Sequence, residues 1–279
     1  MGDRNGISIK KLPLGGEKNF YELGLTIVHP FFGEIKRFNM LYDNYWSKYP
    51  DKIKDKLRII IVDDHGTPCI HDLMKGKTCD FNLTILRINE DLKHNTPGAL
   101  NLGSVETKTD YMFHLDSDCT LEPDMMDKVM QIDPLPNYIY RFRRNRITDN
   151  PQRKRNTRYL PCAHILHKNI FTTVKGFDED FTGARSKGYG FFDNHFDWKV
   201  REAGFCRAVI SNIIVTEYME SLNTEGQETG PLGVGVHRTS VEENINRRIY
   251  ERKVKNIALN NPKILRFTYK KVYENERTV

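Results

Sequence analysis

The residues best placed to do chemistry are Asp116 and Asp118, which close the run Y-M-F-H-L-D-S-D from Tyr111 to Asp118. An apolar segment with β propensity that ends in two carboxylates, one residue apart, delivers negative charge to the edge of a sheet. Open α/β sheets bind ligands at the carboxyl ends of their strands, so acids placed there face a crevice rather than the core. Oxygen ligands on a rigid strand end suit a hard divalent cation, which is commonly shared with substrate phosphates. A lone D-x-D also arises where a strand simply runs into a polar loop, so its meaning depends on its surroundings.

Alternating elements are needed to hold that strand end. Leu23 to Val28 (L-G-L-T-I-V) is a short apolar run closed by His29-Pro30, the pattern of a buried first strand. Ile35, Phe38, Leu41, Tyr42, Tyr45 and Trp46 recur at three- and four-residue spacing, which predicts an amphipathic helix over Glu34–Lys48. Leu57 to Val62 is a second strand ended by Asp63-Asp64-His65-Gly66, and strand, helix, strand implies a right-handed parallel crossover. A third strand is read at Leu83–Ile88, a helix from Thr96-Pro97 to about Glu106, and the fourth strand at Tyr111–Leu115. A short helix follows from Pro123 with Met125, Met126 and Val129 inward.

Beyond it, Tyr138–Phe142, Leu160–His167 and Ala208–Val215 read as strands, and Trp198–Ala203 as a helix stopped by Gly204. Ser240-Val241-Glu242-Glu243 is a capping box opening a last helix, with Ile245 and Ile249 on one side. Arg143 to Arg158, with seven basic residues against one acid, reads as a solvated, mobile loop, and Gly226–Gly235 as a flexible one. No repeat and no linker interrupts this order. The pattern is that of one α/β domain.

Composition sets the outer bounds. With 279 residues, 38% of them hydrophobic and 29% charged, the chain has ample material for a core. No run approaches the roughly 18 to 20 apolar residues that span a bilayer. The start, M-G-D-R-N-G-I-S-I-K-K, lacks the apolar segment of a secretory signal, so a soluble, cytoplasmic protein is expected. Five scattered cysteines without C-x-x-C spacing fit a reducing compartment, and the sequon Asn82-Leu83-Thr84 then reads as chance. A net charge of +6 suits an anionic ligand without demanding nucleic acid.

Taken in order, D-D-H-G at Asp63–Gly66, N-T-P-G-A-L-N-L-G at Asn95–Gly103, D-S-D at Asp116–Asp118, G-F-D-E-D-F at Gly176–Phe181 and Y-G-F-F-D-N at Tyr189–Asn194 resemble the family 2 glycosyltransferases of GT-A fold. The resemblance implies a Rossmann-like nucleotide-diphospho-sugar transferase domain, a mostly parallel central sheet flanked by helices, over residues 23–250. Its nucleotide-binding half would be 23–130 and its acceptor and catalytic half 131–250, with an arm at 1–22 and an extension at 251–279.

Site residues follow from the same resemblance. Asp64 would meet the uracil of a UDP-sugar, where the alternative is an aspartate capping the next turn. His29 and Pro30 would border the base, and Asn95 and Gly98 lie in the segment near the donor. That segment usually carries arginine where this chain has Leu100, so a basic group from Arg143–Arg158 would have to replace it. Asp118 would ligate Mn²⁺ or Mg²⁺ on the diphosphate, with Asp116 on the metal or ribose and Ser117 between them. Asp193 would be the base that takes the acceptor's proton, although the usual preceding glutamate is Phe192 here. Its alternative is to cap the helix leading to Trp198. Gly176 and Asp178, with Glu179, would lie near the donor sugar or else form an acidic turn, and Tyr189, Phe191 and Phe192 offer aromatic faces to sugar rings. His237, after a glycine-rich approach, would complete the metal site or else be a surface or capping residue.

The implied activity is metal-dependent, inverting hexosyl or pentosyl transfer from a UDP-sugar to a glycan or glycoprotein hydroxyl. No nucleic acid and no integral membrane segment are expected, and the lack of an anchor resembles bacterial and large-virus members more than Golgi ones. Two rivals use the same features. A nucleotidyltransferase could share the D-x-D but would carry a glycine- and lysine-rich phosphate loop after the first strand, where this chain has Val28-His29-Pro30-Phe31. A basic nucleic-acid-binding protein could use Arg143–Arg158, yet the chain has no recognisable reader fold.

Overall fold

The computed structural model describes residues 15–33, 35–92, 94–147, 159–183, 188, 190–218, 240–260 and 263–277. Four apolar runs form the centre of one sheet: β1 (Leu25–Phe31), β2 (Leu57–Asp63), β3 (Asn82–Ile88) and β4 (Tyr111–His114). Every residue of β1 and β4 is buried, which is why both read as continuous rather than alternating hydrophobic segments. Parallel pairing joins β1 to β2 and β4, and β2 to β3. The chain continues through β5 (Cys119–Thr120), β6 (Tyr138–Ile147), β7 (Tyr159–His167), β8 (Cys206–Tyr218) and β9 (Tyr269–Asn275).

The strand order is β5-β8-β6-β7-β4-β1-β2-β3-β9. Following the pairings outward from β1, among the described residues only β5, β7 and β9 run against the rest. The molecule is therefore a single α/β domain on a mostly parallel sheet. Helices cover both faces. On one, α1 (Phe20–Leu23), α2 (Ile35–Asn44), α3 (Asp51–Lys54), α4 (Ile70–Leu73) and later α6 (Pro123–Met130) enclose a core that includes Phe38, Trp46, Phe113, Phe142 and Ile165. On the other, α5 (Thr96–Glu106), α7 (Lys168–Thr173) and α8 (Phe192–Glu202) surround Leu100, Met112, Phe177 and Phe196. The helix α9 (Ser240–Lys255) packs on α8.

Several expected boundaries move. The helix read over 34–48 ends at Asn44, and Trp46–Lys48 forms a 3₁₀ turn instead. The helix α5 opens at Thr96 as read, with Asn95 in the cap position before it. Arg143–Ile147, read as the start of a loop, continues β6, and residues 148–158 lie outside the described ones. In register with β8, Arg146 faces Glu217 at 2.6 Å, and this partner turns an apparent basic loop into strand. The extension at 251–279 contains β9, which adds antiparallel to β3. Asn82 of the sequon is buried, its amide donating to the carbonyls of Lys54 (3.0 Å) and Leu57 (3.1 Å), so its role is to tie β3 to the turn before β2.

Candidate active site

The sheet changes direction of growth at β1, with β2 and β3 to one side and β4 to the other, and this is the switch point where open sheets form a crevice. Asp116, Ser117 and Asp118 follow β4 after the buried Leu115 and are all partly exposed. Backbone bonds fix their turn: Leu115 N donates to Val28 O (3.1 Å), Cys119 N to Asp116 O (2.9 Å) and Tyr218 N to Asp118 O (2.8 Å). The short β5 then pairs with the end of β8, placing Cys119 against Glu217. Glu217 is itself held by Arg146 and, at 3.4 Å, by Arg144. Beneath the turn lie His29 and Pro30, both buried. Burial holds the His29 pKa down to about 3, against the opposing pull of the Leu115 and Asp116 backbone, so the ring is neutral at any working pH.

The two aspartates that end β2 divide their work. Asp63 is fully buried and accepts from Gly66 N (2.8 Å), Ile70 N (3.2 Å) and the Arg87 guanidinium, so the turn-capping role falls to it. Asp64 points the other way. One of its oxygens accepts from Asn95 N at 3.1 Å, while the other, Oδ1, is buried and makes no hydrogen bond. Burial raises its pKa to about 7. Asn95 Oδ1 accepts from the Thr182 hydroxyl at 3.0 Å. Gly98 serves packing, because a Cβ there would stand 2.4 Å from Asn95 Oδ1 and 2.7 Å from the Phe267 ring.

The loop at Gly176–Asp180 departs from expectation. Asp178 is fully buried and pairs with Lys253 of α9 at 2.6 Å, with His195 Nδ1 at 3.9 Å. Glu179 is equally buried and accepts from Asn101 Nδ2 (3.0 Å), Leu265 N (2.6 Å) and Arg266 N (3.1 Å). Carboxylates so engaged are not available to sugar hydroxyls. Their donors lie far along the chain, and the acidic run G-F-D-E-D-F carries no trace of them. Gly176 has φ +59, and a Cβ there would meet Asn101 Oδ1 at 2.5 Å, so this position needs glycine for the backbone and for space. Asn246 of α9 completes the arrangement by donating to Phe181 O (3.2 Å) and Gly190 O (2.8 Å).

The Gly190 and Phe191 backbones are both left-handed, with φ +73 and +65, and this double turn launches α8. The helix thus begins at Phe192, six residues before the expected Trp198, and places Asp193 in its first turn. Burial raises the Asp193 pKa, while hydrogen bonds from the backbone N–H groups of Asn194 and Asp193 and the nearby Arg141 charge oppose that rise. Asp193 thus meets the amides of a helix start, and the residue as a whole is partly exposed. One turn on, Asp197 accepts from Arg141 and Arg207, each at 2.7 Å.

Arg141 is buried in β6 on the cross-sheet row Val28–His114–His164–Arg141, so it reaches the site from the sheet itself. Sequence reasoning passed over it. A lone arginine at an inward position of Y-I-Y-R-F was the signal available. His237, Tyr189 and Gly226–Gly235 lie outside the described residues. Among the described residues no group of three or more His, Cys, Asp or Glu side chains is placed to hold a metal ion, and no helix is long and apolar enough to cross a membrane.

Comparison with known proteins extends this picture. The chain is similar in fold to the mannosyltransferase PcManGT from Pyrobaculum calidifontis, in complex with GDP-Man and Mn²⁺, with TM-score 0.56 and 15% identity over 76% of this chain and 61% of that one. It is similar also to S. aureus TarS 1-349 in complex with UDP-GlcNAc (TM-score 0.58, 13% identity, 84% of this chain and 67% of that one). GalNAc-T7 with UDP, GalNAc and Mn²⁺ gives TM-score 0.52 and 12% identity over 81% of this chain and 48% of that one. The chain thus spans about three fifths of the mannosyltransferase and about half of GalNAc-T7. No curated protein matches the sequence significantly. The family model described as glycosyl transferase family 2 matches residues 26–202, from β1 to the end of α8, and the chain belongs to that family.

Proposed function

We propose that the protein transfers a sugar from a UDP-sugar to a hydroxyl of a glycan or glycoprotein acceptor with inversion at the anomeric carbon. The observation that carries this reading is the single unbonded oxygen of Asp64, beside the switch-point crevice. Uracil offers one imide N–H to such an acceptor, whereas guanine presents two adjacent donors that favour a carboxylate with both oxygens available. The place of Asp116 and Asp118, partly exposed residues on a fixed turn, also supports it, since carboxylates there fit a hard cation whose remaining ligands are diphosphate oxygens and water. Those two side chains would hold Mn²⁺ or Mg²⁺, and the ion when bound supplies Lewis-acid stabilisation of the leaving diphosphate.

Asp193 takes the proton from the acceptor hydroxyl as that oxygen forms its bond to the anomeric carbon and the bond to diphosphate breaks. Arg141 keeps Asp197 engaged and lowers the cost of a carboxylate at Asp193. Calorimetry of UDP with and without Mn²⁺ tests the donor site. In Asp118→Ala the enhancement by Mn²⁺ should disappear, and an unchanged metal-dependent affinity would sink the assignment. GDP serves as comparator, and tighter binding of GDP than UDP would reverse the choice of base.

The pH dependence of UDP binding gives a second check. Accepting an imide N–H requires Asp64 to be ionised, and its pKa is raised to about 7, so affinity should fall as pH drops through that value. Asp64→Asn should bind UDP more weakly at about pH 8 and lose this pH dependence. A variant that keeps the parent's profile would assign the titration to another group.

A further inference from the structure

Residues 245–266 hold seven basic side chains against one acid, a surplus matched by that of Arg143–Arg158, so the rest of the chain is net acidic. Two of these cations are held by acids: buried Lys253 pairs with Asp178 and Asp180, and exposed Arg266 with Asp180 at 2.6 Å. Arg247, Arg248, Arg252 and Lys255 are exposed on α9, and a 3.6-residue repeat places them within less than half of the helix circumference. Arg247 pairs along the surface with Glu251, while Arg248, Arg252 and Lys255 meet no carboxylate among the described residues.

Immediately after α9 the chain presents Ile257, 70% exposed, and Leu259, 40% exposed. No other large apolar side chain among the described residues is as exposed as Ile257. Cations alone would serve any polyanion. An aliphatic group standing in water beside them gains nothing from a phosphate backbone or an acidic peptide, but gains directly from entering the boundary between lipid headgroups and acyl chains. We propose that this surface docks the protein on an anionic phospholipid bilayer. Arg247, Arg248, Arg252 and Lys255 lie over the headgroups, and Ile257 with Leu259 enters the interface. The contact is peripheral and independent of which sugar the site transfers.

Vesicle flotation of the full chain tests this, using phosphatidylcholine alone or mixed with phosphatidylserine. Binding is expected only to the mixed vesicles and should weaken with added salt. Each cation near such a surface strengthens binding by about fivefold, so Arg248→Ala with Arg252→Ala should weaken it by roughly 25-fold. Ile257→Asp, or the milder Ile257→Ser, should reduce vesicle binding while leaving retention on heparin unchanged. Equal melting temperatures of parent and variants, expected at exposed positions, separate lost docking from lost folding. Failure of the parent to float with the mixed vesicles would overturn the proposal. So would Ile257 variants that float as well as the parent, since that result describes attraction to any polyanion.

Discussion

Asp193→Asn should lower turnover by roughly two to four orders of magnitude with little change in donor affinity. The amide keeps the shape of the side chain and can still accept from the first-turn amides of α8, but it cannot take a proton. The pH profile offers an independent readout. Burial raises the Asp193 pKa, so the ionised base is lost at a higher pH than for an ordinary carboxylate, and the acid limb of kcat/KM should be displaced upward accordingly. Steady-state kinetics of the parent across that limb, and of Asp193→Asn at its plateau, measure both. Turnover within a few-fold of the parent would leave Asp193 as a helix-start residue alone.

Lys253→Met should cost about 3–5 kcal/mol of stability, because removing one partner of a buried ion pair leaves the other charge uncompensated. The Asp178 carboxylate is fully buried and has Lys253 at 2.6 Å. His195 stands 3.9 Å away, but burial, helped by the Lys199 charge, lowers its pKa to about 4, so it is neutral at pH 7 and does not replace the lost cation. Urea unfolding monitored by circular dichroism reads the loss from the midpoint and slope. A shift below about 1 kcal/mol would mean that water or Lys199 already screens Asp178. Lys253→Met with Asp178→Asn should recover much of the loss, since the double variant leaves no buried charge at that pair.

The readable parts of the fold were those whose partners are local or generic. Runs such as L-R-I-I-I-V announce a strand covered on both faces because any aliphatic neighbour satisfies them. The strand β9, Y-K-K-V-Y-E-N, gives no such signal: it lies at an edge, most of its residues are exposed, and only its pairing with β3 makes it a strand. The same contrast runs through the site. The position of Asp116 and Asp118 just past a strand end was legible because a strand end next to a polar turn is a local pattern. The destiny of Asp178 and Glu179 was not, because the groups that claim them are Lys253, Leu265 and Arg266, more than seventy positions away. The doubled aspartate at the end of β2 was legible as a pair but not as a division of labour, which depends on Arg87 and Asn95 approaching from opposite sides.

The pairing of β9 with β3 also bears on how the protein is made. Leu83 meets Asn275 and Ile88 meets Tyr269, so the partners are separated by almost two hundred residues of synthesis. Throughout that interval the growing chain holds β3 with one row of backbone donors and acceptors facing water, next to a flank rich in isoleucine and leucine. An open edge of that kind recruits whatever strand arrives, including the same strand of a neighbouring nascent chain. Translation pauses or truncations before residue 269 should therefore yield aggregates rather than folded fragments, and demand for chaperone holding at this edge should end when β9 leaves the ribosome.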